Sequence, residues 1–203
     1  SIGYRFGDPG LLRTALTHSS YVAENDGVES YERLEFLGDA VLELVTTEMI
    51  YSLMPDSDEG AMTKVRASVV DVVSLAAIAR KLDLGGAIYL GIGEARSGGA
   101  DRDSLLSDVV ESGLGAIFVE GGIEAAREFV SSNWYERVVQ SIEMSDVTDS
   151  RSLLQEYLAA EGRTVMFSFD RTGPDHAVVY RATAIVEGET VGTGIGSSKK
   201  TAA

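Results

Sequence analysis

The chain contains no cysteine, only two histidines (His18 and His176), three prolines and one tryptophan in 203 residues. Without cysteine there is no disulfide and no thiolate metal centre. Two histidines so far apart do not make a histidine-rich zinc site. Any metal must be held by oxygen, which points to Mg²⁺, with Mn²⁺ as a substitute. No stretch approaches the ~18 uninterrupted apolar residues of a membrane span, and the start, Ser1 rather than Met, carries no signal-peptide pattern. Internal repeats and low-complexity segments are also lacking. These absences lead to the expectation of a cytoplasmic protein with no membrane partner.

Acid is what the chain has in excess: 32 Asp+Glu against 17 Lys+Arg, a formal charge of -15. Such a balance ordinarily argues against nucleic acid as a partner. The excess is uneven, however. Residues 1–148 carry a balance of -14 and residues 149–203 only -1, ending in Lys199-Lys200. With 44% hydrophobic and 24% charged residues, the composition is that of a folded globular protein long enough to bury a real core.

From Leu11 to about Ile142 the apolar spacing is helical, which predicts helices over 9–17, 31–53, 60–66, 68–82, 102–120 and 123–141. Gly85-Gly86 and the run Gly91 to Gly99 predict loops, and Gly121-Gly122 a tight corner. The polar segment 144–149 reads as a linker. Beyond it lie a helix over 150–160, short strands over 164–170, 177–186 and 190–195, and the beginning of a last helix. The expected organisation is therefore an all-α domain over 1–143, a linker over 144–149, and an α+β domain over 150–203. The second domain has the order α-β-β-β-α, with its last helix incomplete.

Chemistry concentrates in two acidic helices. In the run YERLEFLGDAVLEL at 31–44, Glu32, Glu35 and Asp39 fall within about 60° of one another at ~100° per residue. The rest of the circumference is mostly Leu, Phe, Val and Ala. Like charges so placed repel, and partial burial raises the cost of ionising them; a divalent cation resolves the conflict. Asp108 and Glu111, at i and i+3, repeat the pattern on another apolar helix. Packed face to face, the two helices would gather Glu35, Asp39, Asp108 and Glu111 into a site for one or two Mg²⁺. Each pair taken singly is also what the wet side of an ordinary helix shows. Glu43, Glu48, Glu120, Glu124 and Glu128 read as such surface charge, and His18 as a packing or hydrogen-bonding residue.

The run ERLEFLGDAVL at 32–42 resembles the signature of the ribonuclease III family of double-stranded-RNA endonucleases. The segments GYRF at 3–6 and LTHSSY at 16–21 support it upstream. Downstream, Glu59-Gly60, YLGIGE at 89–94, SGG at 97–99 and the Asp108/Glu111 helix keep the family's order. The resemblance implies that residues 1–143 are the endonuclease domain, with Glu35, Asp39, Asp108 and Glu111 as catalytic metal ligands. It further implies Glu32 and Glu59 as supporting acids and Phe36 as a plug into the partner of a homodimer. The tail, with SLLQE at 152–156, GPDH at 173–176, GTGIG at 192–196 and SKK at 198–200, resembles a double-stranded-RNA-binding domain. Gln155 and Glu156 would then meet one minor groove, Pro174 and His176 another, and Lys199 and Lys200 the phosphates between them.

The implied activity is metal-dependent hydrolysis of duplex RNA, such as ribosomal RNA precursors and other structured transcripts. It would leave 5′-phosphate and 3′-hydroxyl ends without a histidine nucleophile or covalent intermediate. The competing classes are a non-catalytic duplex-RNA binder on the same fold and a metal-dependent phosphohydrolase of small nucleotides. The acidic cluster argues against the first, since a pure binder has no use for it, and the tail argues against the second.

Overall fold

The computed structural model describes residues 3–174 and 178–202, with backbone alone for 146–153 and Lys200. Two compact units divide it, Ser1–Val139 and Gln140–Ala203.

The first unit is helical: α1 (Pro9–Ala15), α2 (Ser19–Val22), α3 (Glu32–Leu53), α4 (Glu59–Val69), α5 (Val72–Lys81), α6 (Ile92–Arg96), and the start of α7 (Asp103–Ala160). Most starts are written locally. Asp8 accepts from the Gly10 N–H with Pro9 in the first turn, Asp58 accepts from Ala61, and Asp71 accepts from Ser74. The Asp71 cap puts the break between α4 and α5 at Val70-Asp71, four residues later than the apolar spacing places it. Inside the predicted loop Gly91–Gly99 lies α6, one short helix held by Glu24, whose carboxylate accepts from the Ile92 N–H at 3.0 Å.

Gly122, with φ 72° and ψ -171°, turns α7 sharply, as the Gly121-Gly122 pair predicts. Past that corner the helical backbone runs through to Ala160, so segment 144–149 is helical rather than an irregular connection. It contains neither Gly nor Pro, so nothing in it interrupts the i→i−4 ladder. The buried core of this unit includes Leu42, Ile50, Leu75, Leu106, Leu114, Ile117, Val130 and Trp134. The Trp134 indole N–H donates to the Val69 carbonyl at 3.2 Å, which satisfies its one polar atom.

In the second unit, β1 (Val165–Thr172), β2 (Val179–Val186) and β3 (Glu189–Gly196) form an antiparallel meander, followed by α8 (Lys199–Ala202). Leu158, Ala182, Ala184, Val186 and Ala202 are buried. Gly194 and Gly196 lie against the backbone of α8, close enough that a Cβ on Gly196 would sit 2.7 Å from the Ala202 nitrogen. The all-α unit followed by an α-β-β-β-α unit is the architecture expected from the sequence.

Candidate active site

Two glycines decide where the acidic helices meet. A Cβ on Gly38 of α3 would strike the Glu111 carbonyl oxygen and lie 2.9 Å from the Gly115 nitrogen. A Cβ on Gly115 of α7 would strike the Leu34 carbonyl oxygen and lie 3.2 Å from the Gly38 nitrogen. Backbone therefore packs on backbone at this crossing, as only glycine permits. Sequence reasoning missed both residues. Their signal was a glycine inside each apolar acidic helix, where glycine weakens the helix unless close approach requires it.

Close approach brings Glu35, Asp108 and Glu111 together, with one carboxylate oxygen from each lying within 4.8 Å of the others. An Mg–O distance of about 2.1 Å puts opposite ligands about 4.2 Å apart, so small side-chain movements suffice to bind. Asp39, one turn beyond Glu35, stands outside that trio and is exposed, yet its charge still acts on both Glu35 and Glu111. Glu32 is exposed a turn before Glu35 and accepts from the Ser30 hydroxyl at 3.0 Å. Tyr31, 2% exposed at the head of α3, donates its hydroxyl to Asp108 Oδ2 at 3.2 Å.

The electrostatics follow from this crowding. Burial, then the charges of Asp39, Asp108 and Glu35, push the Glu111 carboxyl from 4.5 up to about 8. Glu35 is raised by burial and by Asp108, Glu32 and Asp39. Asp108 is raised by burial, against the opposing pull of the Tyr31 hydroxyl and of His18. A half-buried set of oxygen donors whose members repel one another and retain protons fits a hard divalent cation, which can replace the proton.

A pH dependence follows for the metal-free protein. Glu111 ionises near 4.5 when unfolded and near 8 when folded, so the folded state binds more protons between those values. Stability contributed through this site is thus lost as pH rises across that window. Glu111→Gln removes the titration, so in a chelator the melting temperature of the variant should gain on the parent steadily from pH 5 to pH 8. Parallel melting curves across that range would contradict the assignment.

The remaining predicted residues are placed as follows. Phe36 is 82% exposed beside the acids on α3, which excludes a core role for it. Glu59 opens α4 and lines a separate hollow of about 200 Å³ with Thr47, Ile50, Tyr51, Met62, Thr63 and Arg66. Thr47 lies two turns past Asp39 on α3, so Glu59 is not brought to the carboxylate trio. In the second unit Gln155, Glu156, Pro174 and Lys199 are exposed, and the Lys199 ammonium lies 5.8 Å from the centre of the Phe169 ring. His176 and the Lys200 side chain lie outside the described residues.

Glu120, read from the sequence as surface charge, is instead a clamp. Its carboxylate accepts from the Asp8 N–H at 2.8 Å, the Gly7 N–H at 3.1 Å and the Tyr4 hydroxyl at 2.9 Å. Those bonds hold its carboxyl below the usual range and tie the start of the chain to α7. His18, as expected, has a local role: its Nδ1 accepts from the Ser20 N–H at 3.2 Å and caps α2.

Known proteins resemble this chain over nearly its whole length. A family model described as Ribonuclease-III-like matches residues 8–138, and one described as Double-stranded RNA binding motif matches residues 150–203. The chain is 42% identical to Ribonuclease 3 of Thermobifida fusca, over 96% of this chain and 81% of that protein. It is 44% identical to Ribonuclease 3 of Desulforamulus reducens, over 99% and 83% respectively. Among solved structures, a nuclease domain of ribonuclease III from Campylobacter jejuni, described for flexibility in a region involved in dimer formation, is 39% identical. It matches with a TM-score of 0.61 and covers 66% of this chain and 93% of its own. A helical nuclease unit carrying a convergent carboxylate trio, followed by a duplex-RNA-binding motif, makes this chain an endoribonuclease that belongs to the ribonuclease III family.

Proposed function

We propose that the carboxylate cluster hydrolyses phosphodiester bonds of double-stranded RNA in a reaction that depends on Mg²⁺, with Mn²⁺ able to replace it. One observation carries this reading: Glu35, Asp108 and Glu111 converge within 4.8 Å in a chain that also holds a double-stranded-RNA-binding motif. Glu35, Asp39, Asp108 and Glu111 hold the cation; Glu32 supports them from the preceding turn. Glu59, at the start of α4, is a further supporting acid near the cleavage cleft. When bound, a divalent cation acts as a Lewis acid at the scissile phosphate and makes water acidic enough to supply hydroxide near neutral pH.

The protein's own contribution is charge and position. Four carboxylates without a cation repel the phosphate they must approach, so their arrangement makes cleavage conditional on the ion. The backbone contact at Gly38 and Gly115 sets the spacing between the two pairs. Products carry 5′-phosphate and 3′-hydroxyl ends, and the substrates are ribosomal RNA precursors and other structured transcripts in the cytoplasm.

The chain works as a homodimer, and two supports stand behind this. The similar nuclease domain from Campylobacter jejuni has a region involved in dimer formation, and Phe36 presents an 82% exposed aromatic ring on the surface of α3. A hollow of about 520 Å³ near Phe36, lined by Leu11, Leu37 and Val119 together with Glu29, Glu32 and Arg33, offers a place for the ring of a second copy in a two-fold arrangement.

Gln155 and Glu156 contact one minor groove, and Pro174 with His176 another. Lys199 and Lys200 meet the backbone phosphates between them. Replacing both lysines by alanine should lower the salt dependence of duplex binding by roughly two phosphate contacts. An unchanged slope in a filter-binding titration against salt would remove those lysines from the interface.

The direct test incubates the protein with long duplex RNA, with Mg²⁺ or with chelator, and sizes and end-labels the products. Short duplex fragments with 5′-phosphates in Mg²⁺ alone are expected. Intact RNA in Mg²⁺, or equal cleavage in chelator, would sink the proposal.

A further inference from the structure

We propose that Tyr31 is a positioning residue of the carboxylate cluster, its buried hydroxyl holding Asp108 in the orientation that lets it share a cation with Glu35 and Glu111. The inference rests on the metal-site reading above and adds a residue that touches neither metal nor RNA.

Three observations carry it. First, the hydroxyl is committed: it donates to Asp108 Oδ2 at 3.2 Å. That leaves one Asp108 oxygen engaged by the phenol and directs the other away from it. Second, the ring cannot easily turn aside. Tyr31 is 2% exposed and forms a core cluster with Leu105 and Val109, which bracket Asp108 on α7. The His18 ring packs tilted against it with centroids 5.7 Å apart, and the Tyr31 N–H donates to the Thr17 carbonyl at 2.8 Å. Third, Tyr31 directly precedes α3, with its backbone carbonyl accepting from the Glu35 N–H at 2.9 Å. One residue thus bonds to a ligand-bearing turn of α3 through its main chain and to a ligand of α7 through its side chain.

A tyrosine used only as core would place its hydroxyl at solvent or on a carbonyl. Here it is spent on a carboxylate, where it offsets some of the cost of ionising a half-buried acid. Outer-shell partners of this kind typically change metal affinity 10–100-fold. Phenylalanine keeps the ring, its core neighbours and the His18 contact, and removes only the hydroxyl.

The experiment measures Mn²⁺ binding to the full chain without RNA, by electron paramagnetic resonance of free Mn²⁺, for the parent, Tyr31→Phe, Asp108→Asn and the double variant. In parallel, cleavage by the parent and Tyr31→Phe is titrated with Mg²⁺. Tyr31→Phe should weaken Mn²⁺ binding by about 10–100-fold. Its half-maximal Mg²⁺ for cleavage should rise by a similar factor, with the rate at saturating Mg²⁺ largely regained. In the Asp108→Asn background the same substitution should add nothing, because its effect passes through Asp108. Mn²⁺ binding by Tyr31→Phe equal to the parent's overturns the inference even if its melting temperature falls, since that result marks a purely structural hydroxyl. No Mn²⁺ binding by the parent itself would overturn the metal-site reading, and this inference with it.

Discussion

Glu111→Gln should lower cleavage of long duplex RNA by more than about a hundredfold, above the range typical of outer-shell partners, while leaving duplex affinity nearly unchanged. A hundredfold corresponds to about 2.7 kcal/mol of lost transition-state stabilisation. The substitution keeps size and shape but replaces a carboxylate by a neutral amide in a trio that spans only 4.8 Å. Burial first, and then the charges of Asp39, Asp108 and Glu35, push the Glu111 carboxyl up to about 8, so its ionisation is strongly coupled to a bound cation. Binding should survive because the duplex-RNA motif occupies residues 150–203, in the other compact unit. Single-turnover cleavage and gel-shift titrations in the same Mg²⁺ buffer separate the two properties. A variant that cuts at the parent's rate would show that the trio is not where the chemistry occurs.

Gly38→Ala should be the most damaging single-methyl change in the nuclease unit. Its new Cβ meets the Glu111 carbonyl oxygen and comes within 2.6 Å of the Glu111 carbonyl carbon, and neither is the flexible end of a side chain. Relief requires α3 and α7 to separate, at a cost of about 1–3 kcal/mol or more. For a chain of this size that lowers the melting temperature by roughly 3–10 °C. The same separation draws Glu35 and Asp39 away from Asp108 and Glu111, so activity should fall even well below the melting point. Gly113→Ala, on α7 between Glu111 and Gly115, is the control. Nothing lies within 4 Å of its Cβ position, so it should be neutral or stabilise by about 0.4–1 kcal/mol. Equal stability and activity of Gly38→Ala and the parent would mean that the helices do not cross at these glycines.

Much of this was legible in the amino-acid order, and the exceptions have physical causes. The long helix from Glu32 to Leu53 was predictable because its apolar spacing persists for six turns. The three strands were predictable because β-branched alternation switches on at Val165 and glycine turns separate the runs. By contrast, α6 is five residues long with glycines on either side, too short for any period to register. Glu120 shares its spacing with ordinary surface acids on its helix. Its partners, the Gly7 and Asp8 amides, are more than a hundred residues away in sequence.

By itself, then, the sequence determined which residues are chemically equipped. Residue types and local periods are properties of one segment at a time, and they suffice to put Glu35 with Asp39, and Asp108 with Glu111, on common helix faces. Only the tertiary structure decided which oxygens meet. Convergence of Glu35, Asp108 and Glu111 and the exposure of Asp39 depend on where α3 and α7 cross. That crossing is set by backbone contact at Gly38 and Gly115 and braced by the Tyr31 hydroxyl on Asp108. Contacts between residues about eighty positions apart leave no periodic trace in either segment, so packing alone could select them.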